Sequence, residues 1–389
     1  MQDKYFLIMQ YELSHWEYDS FFRAIDVAVL GSGIVGLSTA VRLKELQPSL
    51  NVALIERGAL PLGASTRNAG FACFGSMTEL LDDLRLRSEE EVWQLVEMRW
   101  KGLLRLRERI GDAALAYEPL GGYEIFRASE TSTFQECADH LSMFNQKMQS
   151  ITGKADTYQI VSEEKARSFG FNDVPHLIWN SLEGQIHTGS MMAAWMRLAQ
   201  QHNVLLLNGI NIESIHPESD AVVLKTSAGW DMRVPSLVVT VNGFAQRLLP
   251  ELDVQPARNQ VLVTKPIAGL SMRGAFHYDR GYYYFRNVGP DRILLGGGRH
   301  LDLRGEMTDH FGTTSLIREK LLSLLDEMIA PGLHAEPERW WSGIMGVGET
   351  KRPIVQKLHP RLTVAVRMGG MGVAIGTQVG EEAANLALG

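Results

Sequence analysis

The stretch Gly31-Ser32-Gly33-Ile34-Val35-Gly36 constrains this chain more than any other. It follows the apolar run Val27-Ala28-Val29-Leu30 and opens a helical pattern reaching about Leu46. A second apolar run, Val52-Ala53-Leu54-Ile55, then ends in Glu56. Strand, glycine turn, helix, strand and acid in that order are the layout of an ADP-binding βαβ unit. Gly31 permits a tight turn, Gly33 lets backbone approach a diphosphate, and Gly36 lets the helix pack closely. The free N–H groups at the start of the helix, at Ile34 and Val35, meet the phosphates with the positive end of the dipole. Glu56 accepts hydrogen bonds from ribose hydroxyls, and its charge disfavours a 2′-phosphate.

A chain of 389 residues, 45% hydrophobic, can bury a large core and divide into two domains. The net charge is -7 and no basic block stands out, which argues against a nucleic-acid partner. Cys73 and Cys137 are the only cysteines, so a disulfide framework or a cysteine-rich metal site is excluded. No apolar run approaches the roughly 18 residues that span a bilayer. Met1–Arg23 does not read as a signal peptide. Its Trp16, Tyr18 and Phe21 suggest an arm packed on the first domain, and the expected compartment is cytoplasmic.

Further along, the polar, glycine-rich segment Gly63-Ala64-Ser65-Thr66-Arg67-Asn68-Ala69-Gly70 is too long for a simple turn. Residues 79–110 show helical periodicity, and Leu237–Val241 reads as a strand of a parallel sheet buried on both faces. That strand ends at Asn242-Gly243, where backbone can meet a ligand at the carboxyl edge. Strand formers dominate residues 258–300. A last apolar strand, Leu362–Val366, leads through Gly369-Gly370-Met371-Gly372 into a helix ending at Leu388. The expected fold is α/β, with a discontinuous Rossmann-like nucleotide domain from 1–95, 155–245 and 331–389. An inserted α+β substrate domain on an antiparallel or mixed sheet takes 96–154 and 246–330.

These blocks together resemble the D-amino-acid oxidase superfamily of flavoproteins, which includes glycine, sarcosine and γ-glutamylputrescine oxidases. The resemblance rests on 31–36, Glu56, Gly63-Ala64-Ser65, Arg67-Asn68 and Gly70. It also rests on Val238–Gly243, Leu294–Arg299, Trp341-Ser342-Gly343-Ile344 and the glycine-rich end from Gly369 to Gly380. It implies FAD bound in an extended pose, and oxidation of an amine or amino acid to an imine that water hydrolyses. Ser65, Arg67 and Asn68 would then border the flavin and its ribityl-phosphate arm, with Gly70 admitting backbone. Arg57, Ile212, Asn242, Gly243 and Gly343 would complete the cofactor's surroundings. Gly370, Met371, Gly372 and Thr377 would bring a helix N-terminus to the pyrimidine end of the flavin. The positions that carry covalent flavin in some branches hold neither histidine nor cysteine here, so non-covalent FAD is expected.

For the chemistry, Tyr282-Tyr283-Tyr284-Phe285-Arg286 offers one wall of a pocket. As a strand it places Tyr282, Tyr284 and Arg286 on one face, with Arg286 able to clamp a carboxylate. An edge strand with its aromatics in the core explains the same residues. Amino-acid oxidases resemble Trp-x-Gly-hydrophobic-Arg-Pro at 341–346, whereas this chain has Met345 in the arginine's place. Arg286, Lys351 or another cation takes over, or the substrate lacks an α-carboxylate. Glu349, Lys351 and Arg352 form a charged turn, near the pocket or on the surface. His187 reads as a helix cap or a cofactor contact, and His277 as a pocket-lining or structural residue. His300 and His310 have no partner at metal-ligand spacing, so no metal is expected. The electron acceptor is O2 or another acceptor. A flavin dehydrogenase of a 2-hydroxy acid is the alternative activity, and the oligomeric state stays open.

Overall fold

A computed structural model describes residues 11–389. Six strands form one sheet in the order Ile354–His359, Leu362–Val366, Ser236–Val239, Val27–Leu30, Val52–Glu56, Leu205–Asn208. All neighbours are parallel except the edge strand Ile354–His359. The central strands are apolar throughout because both faces are covered, and the two-residue alternation divides their side chains. Val27, Val29, Leu54 and Val238 face a helical layer containing Ile34–Leu46, Thr188–Gln201 and Gly372–Leu388. Ala28, Leu30, Ala53, Ile55, Leu237 and Val239 face the antiparallel sheet Ile212–Pro217, Val222–Thr226 and Asp231–Val234.

An eight-stranded, mostly antiparallel sheet stands beside this unit. Its order is Pro337–Val347, Gln255–Thr264, Arg292–Gly297, Tyr283–Val288, Ala275–Tyr278, Gly122–Phe126, His176–Asn180, Tyr158–Ile160. One face packs on the helix Ser315–Leu324 and the turn after it through Ile317, Leu321, Leu325 and Met328. The other meets the helix Thr131–Thr152 through Phe126, Tyr158, Cys137 and Phe144.

The strand pairing groups the segments differently from the boundaries read from the sequence. Tyr158–Ile160 and His176–Asn180, assigned to the nucleotide domain, hydrogen-bond into the eight-stranded sheet, as does Pro337–Val347. Conversely, the helix Glu89–Ile110, which the boundaries cut at residue 95, packs on Gly372–Leu388 and sends Leu103 and Leu106 into the nucleotide-unit core. The helical stretch 79–110 is two helices, Met77–Leu86 and Glu89–Ile110. Ser88 restarts the helix through a capping box with Glu91. The N-terminal arm also differs: Trp16, Tyr18 and Phe21 are exposed, while Phe22 packs on Trp230. Residues 1–10 of that arm lie outside the described residues. Among the described residues, no helix is long and apolar enough to cross a membrane.

The helices Ile34–Leu46 and Gly372–Leu388 approach at backbone distance. A Cβ on Gly380 would lie 2.5 Å from the Val35 carbonyl oxygen and 2.6 Å from Ser38 Cβ. Ser38 Oγ donates to the Thr377 carbonyl at 2.7 Å, and Thr39 Oγ1 to the Gly380 carbonyl at 3.0 Å. A separate charge cluster ties Met77–Leu86 to Glu89–Ile110. Arg99, only 1% exposed, donates to the Phe74 carbonyl and Glu79, while Lys351 donates to Glu79 and Asp83. Burial would raise the Glu79 pKa, but Arg99 and Lys351 outweigh it and hold the carboxyl at about 2.

Two outcomes follow from this packing. Gly380→Ala should lose about 2 kcal/mol of unfolding free energy in urea denaturation, since the added methyl overpacks a closed contact. The stabilisation from ionised Glu79 is present above the ordinary carboxyl pKa and is lost as pH falls towards 2. Arg99→Met should cost about 3 kcal/mol at neutral pH. It should also move the Glu79-linked acid loss to higher pH in circular-dichroism titration, because the main cation lowering that carboxyl is gone. An unchanged acid profile in a folded Arg99→Met protein would contradict the assignment.

Candidate functional site

The glycine turn after Val27–Leu30 depends on a backbone that side chains resist. Gly31 has φ +104°, and a Cβ on Gly36 would lie 1.8 Å from the Gly31 carbonyl oxygen. Gly33 is the extended N-cap of Ile34–Leu46 and contributes no capping side chain. The Ile34 N–H is instead taken by Ser65 Oγ at 3.0 Å. Glu56, at the end of the next strand, accepts from Ser32 N–H, Ser32 Oγ and Gly58 N–H. Strand, turn, helix start and acid therefore converge at the carboxyl edge of the parallel sheet.

From that edge a cavity of about 810 Å³ runs to the face of the eight-stranded sheet, a size suited to a cofactor and a small substrate. Seventeen of the residues singled out from the sequence line it: Gly31, Gly33, Ile34, Val35, Glu56, Arg57, Ser65, Arg67, Asn68, Ile212, Asn242, Tyr282, Tyr284, Gly343, Gly370, Met371 and Gly372. The openings of Ile34–Leu46 and Gly372–Leu388 thus face one space. Gly370, at φ +84°, and Met371 precede the second helix, and the Met371 side chain caps no amide. The donors and the bare glycine backbone suit a long ligand with an anionic centre. The tyrosines alternate as the strand pattern requires: Tyr284 faces the cavity, while Tyr283 and Phe285 join the core behind.

The loop 63–70 is braced from several directions. Asn68 Nδ2 donates to the Ala64 and Ser65 carbonyls, and its Oδ1 accepts from Gly70 N–H and Thr188 Oγ1. Arg67 donates to the Ser342 carbonyl and lies over the Phe311 ring, while Trp341 Nε1 donates to the Arg67 carbonyl. Burial lowers the Arg67 and Arg57 pKa values, and Arg57 stacks on Phe244.

Five of the residues proposed from sequence lie behind the cavity wall. Gly36 packs on the turn, and a Cβ on Gly243 would lie 2.3 Å from the Met345 carbonyl oxygen. Gly70, at φ +75°, is closed in by Ile186 and Arg286. Thr377 is fully buried, and its carbonyl accepts from Ser38 Oγ. Arg286 is placed away from the clamp position expected of it. Its guanidinium donates to the carbonyls of Ala69, Ile186 and Asn287, burial lowers its pKa to about 10, and it does not reach the cavity. It braces the loop through the Ala69 carbonyl. His187 is the N-cap of Thr188–Gln201, accepting from Ser190 N–H at 3.0 Å.

The cavity also holds side chains the sequence reading missed or left open: Cys73, Glu79, His277, Arg280, Arg299 and Lys351. Lys351 belongs to the Glu79 cluster, and Arg280 pairs with Asp82 at 2.8 Å. His277 Nε2 lies 3.7 Å from Glu183, whose carboxylate accepts from Phe74 and Gly75 N–H. Burial opposes a charged His277, yet Cys73 and Glu183 raise its pKa above the ordinary value. Burial pushes the Cys73 thiol up and the Tyr284 phenol up. Among the described residues, no group of three or more His, Cys, Asp or Glu side chains is placed to hold a metal.

Comparison with known proteins agrees with this geometry. The solved L-proline dehydrogenase of P. horikoshii superposes with a TM-score of 0.72 at 16% identity, over 93% of this chain and 92% of that one. Glycine oxidase from Geobacillus kaustophilus gives 0.72 at 20%, over 93% and 94%. Iminodiacetate oxidase from Chelativorans sp. BNC1 gives 0.72 at 20%, over 93% and 95%. At these identities the likeness establishes the fold. A bifunctional ThiO/ThiG protein of Synechocystis sp. is 22% identical over 245 residues, covering 63% of this chain and 34% of that protein. The family model described as FAD dependent oxidoreductase matches residues 26–386, so this chain belongs to that family of FAD-dependent oxidoreductases.

Proposed function

We propose that this enzyme oxidises the carbon–nitrogen bond of an amine or amino acid to an imine, which water then hydrolyses. The observation carrying the reading is that two helix N-termini, more than 300 residues apart in sequence, open on the same cavity as an aromatic wall. FAD, when bound, supplies a two-electron acceptor for the hydride leaving the carbon next to nitrogen.

The chain's own residues then have assignable tasks. The first turn of Ile34–Leu46 holds the diphosphate, with Ser65 beside it, and Glu56 takes the ribose hydroxyls. Arg67 and Asn68 border the middle of the cofactor. Gly370, Met371 and Gly372 present the positive end of Gly372–Leu388 to the ring system, favouring negative charge there. Tyr282 and Tyr284 face the substrate side, orienting the reacting carbon and excluding water. The substrate is a small molecule, and the cofactor is held without a covalent bond.

The purified protein should show the visible absorption of oxidised flavin, and heat denaturation should release FAD into the supernatant. Gly33→Val should weaken FAD binding by roughly tenfold or more while leaving far-ultraviolet circular dichroism unchanged, because a Cβ there meets Ser65 Oγ at 2.9 Å and fills the cradle. Anaerobic mixing with D-amino acids, N-methyl amino acids and polyamines should bleach the flavin with at least one of them, and ammonia or an amine should appear with the product. Bleaching by 2-hydroxy acids alone, with no amine released, would replace this reading with a hydroxy-acid dehydrogenase. Peroxide formation in air identifies oxygen as acceptor; turnover only with an added quinone identifies a dehydrogenase.

A further inference from the structure

Most cations lining the cavity are already satisfied. Lys351 is held by Glu79 and Asp83, Arg280 by Asp82, Arg247 by Asp309 and Arg67 by the Ser342 carbonyl. Arg57 follows Glu56 at the nucleotide end and stacks on Phe244. Arg299 differs: among the described residues it makes no hydrogen bond, ion pair or aromatic stack, although it is half-buried in the cavity wall.

Its position follows from the backbone. Strand Arg292–Gly297 ends in two left-handed glycines, Gly297 at φ +118° and Gly298 at φ +80°. A Cβ on Gly297 would lie 2.0 Å from the Tyr282 carbonyl oxygen, to which Gly298 N–H donates at 2.9 Å. Arg299 therefore leaves the sheet beside Tyr282, and both side chains line the cavity. The acid that could neutralise it, Glu306, is fully buried and spent on Arg258 and Gln260. A partly desolvated guanidinium lacking a counter-anion is costly, and burial does lower the Arg299 pKa. Met345, also in the wall, offers no charge of its own.

Building on the amine-oxidoreductase reading, we infer that Arg299 is the carboxylate-binding residue of this site, with Tyr282 beside it. The preferred substrate is accordingly an amine that carries a carboxylate. A planar fork of N–H donors matches that group in a way a lysine does not.

Calorimetric titration of the flavin-loaded protein with benzoate and with benzamide tests the inference without turnover. The wild type should bind benzoate more tightly. Arg299→Gln should weaken benzoate roughly 10- to 100-fold while leaving benzamide unchanged, and Arg299→Lys should recover part of the loss. Equal benzoate affinity in Arg299→Gln, or a wild type that binds benzamide at least as tightly or binds neither, overturns it. Benzamide binding at least as tight as benzoate in the wild type overturns the inference even if the glutamine variant fails to fold, and Arg299→Lys then supplies the residue-specific comparison. Loss of the amine-oxidation reading would appear separately, as a flavin that no amine bleaches while benzoate binding still depends on Arg299.

Discussion

The architecture depends on one backbone-to-backbone approach, between the first long helix and the last. Gly380 and Gly376 of Gly372–Leu388 lie against Val35, Ile34 and Ser38, with two hydroxyl-to-carbonyl hydrogen bonds across the contact. Side chains larger than hydrogen at these points would push the helices apart. Because both helices cover the same face of the parallel sheet, their N-termini emerge at the same carboxyl edge. An anionic cofactor can then meet two positive helix ends at once, although the segments lie at opposite ends of the chain.

The strand-rich unit is joined to that edge by neutral contacts as well as charged ones. Arg286 fastens Ala69 and Ile186 from the strand Tyr283–Val288, and Asn68 gathers the same loop from the other side. These bonds satisfy backbone carbonyls that a buried loop would otherwise leave unpaired. Their effect is to hold Ser65, Arg67 and Asn68 in the wall of the cavity, so the loop is rigid where a ligand would meet it.

What could be read from the sequence was what local geometry enforces. The turn 31–36 and Glu56 declare themselves because a tight turn and a helix start need those residues at that spacing, and the alternation of Tyr282 to Phe285 did the same for one wall. The domain boundaries were not legible, since Tyr158–Ile160 joins the larger sheet through pairing partners that nothing local specifies. Arg286 was expected as a clamp because of the face it occupies; only the carbonyls of Ala69 and Ile186, both distant in sequence, reveal its bracing role. Arg99 did leave a trace. It interrupts the apolar stripe Val92, Leu95, Val96, Leu103 and Leu106 at helical spacing, which is where a buried, paired charge belongs.

Met345 explains why the charge arrangement of the cavity takes this form. It sits on Pro337–Val347, opposite Ala257, with its sulfur near the backbone of Gly370 and the amide of Asn259. A guanidinium at that position would stand close to the N-terminal end of Gly372–Leu388, whose dipole is itself positive. Placing methionine there removes that opposition and leaves a polarisable, apolar surface. A cation serving the same cavity is better supplied from a different element, and the paired glycines at 297 and 298 place Arg299 at the end of another strand of the same sheet.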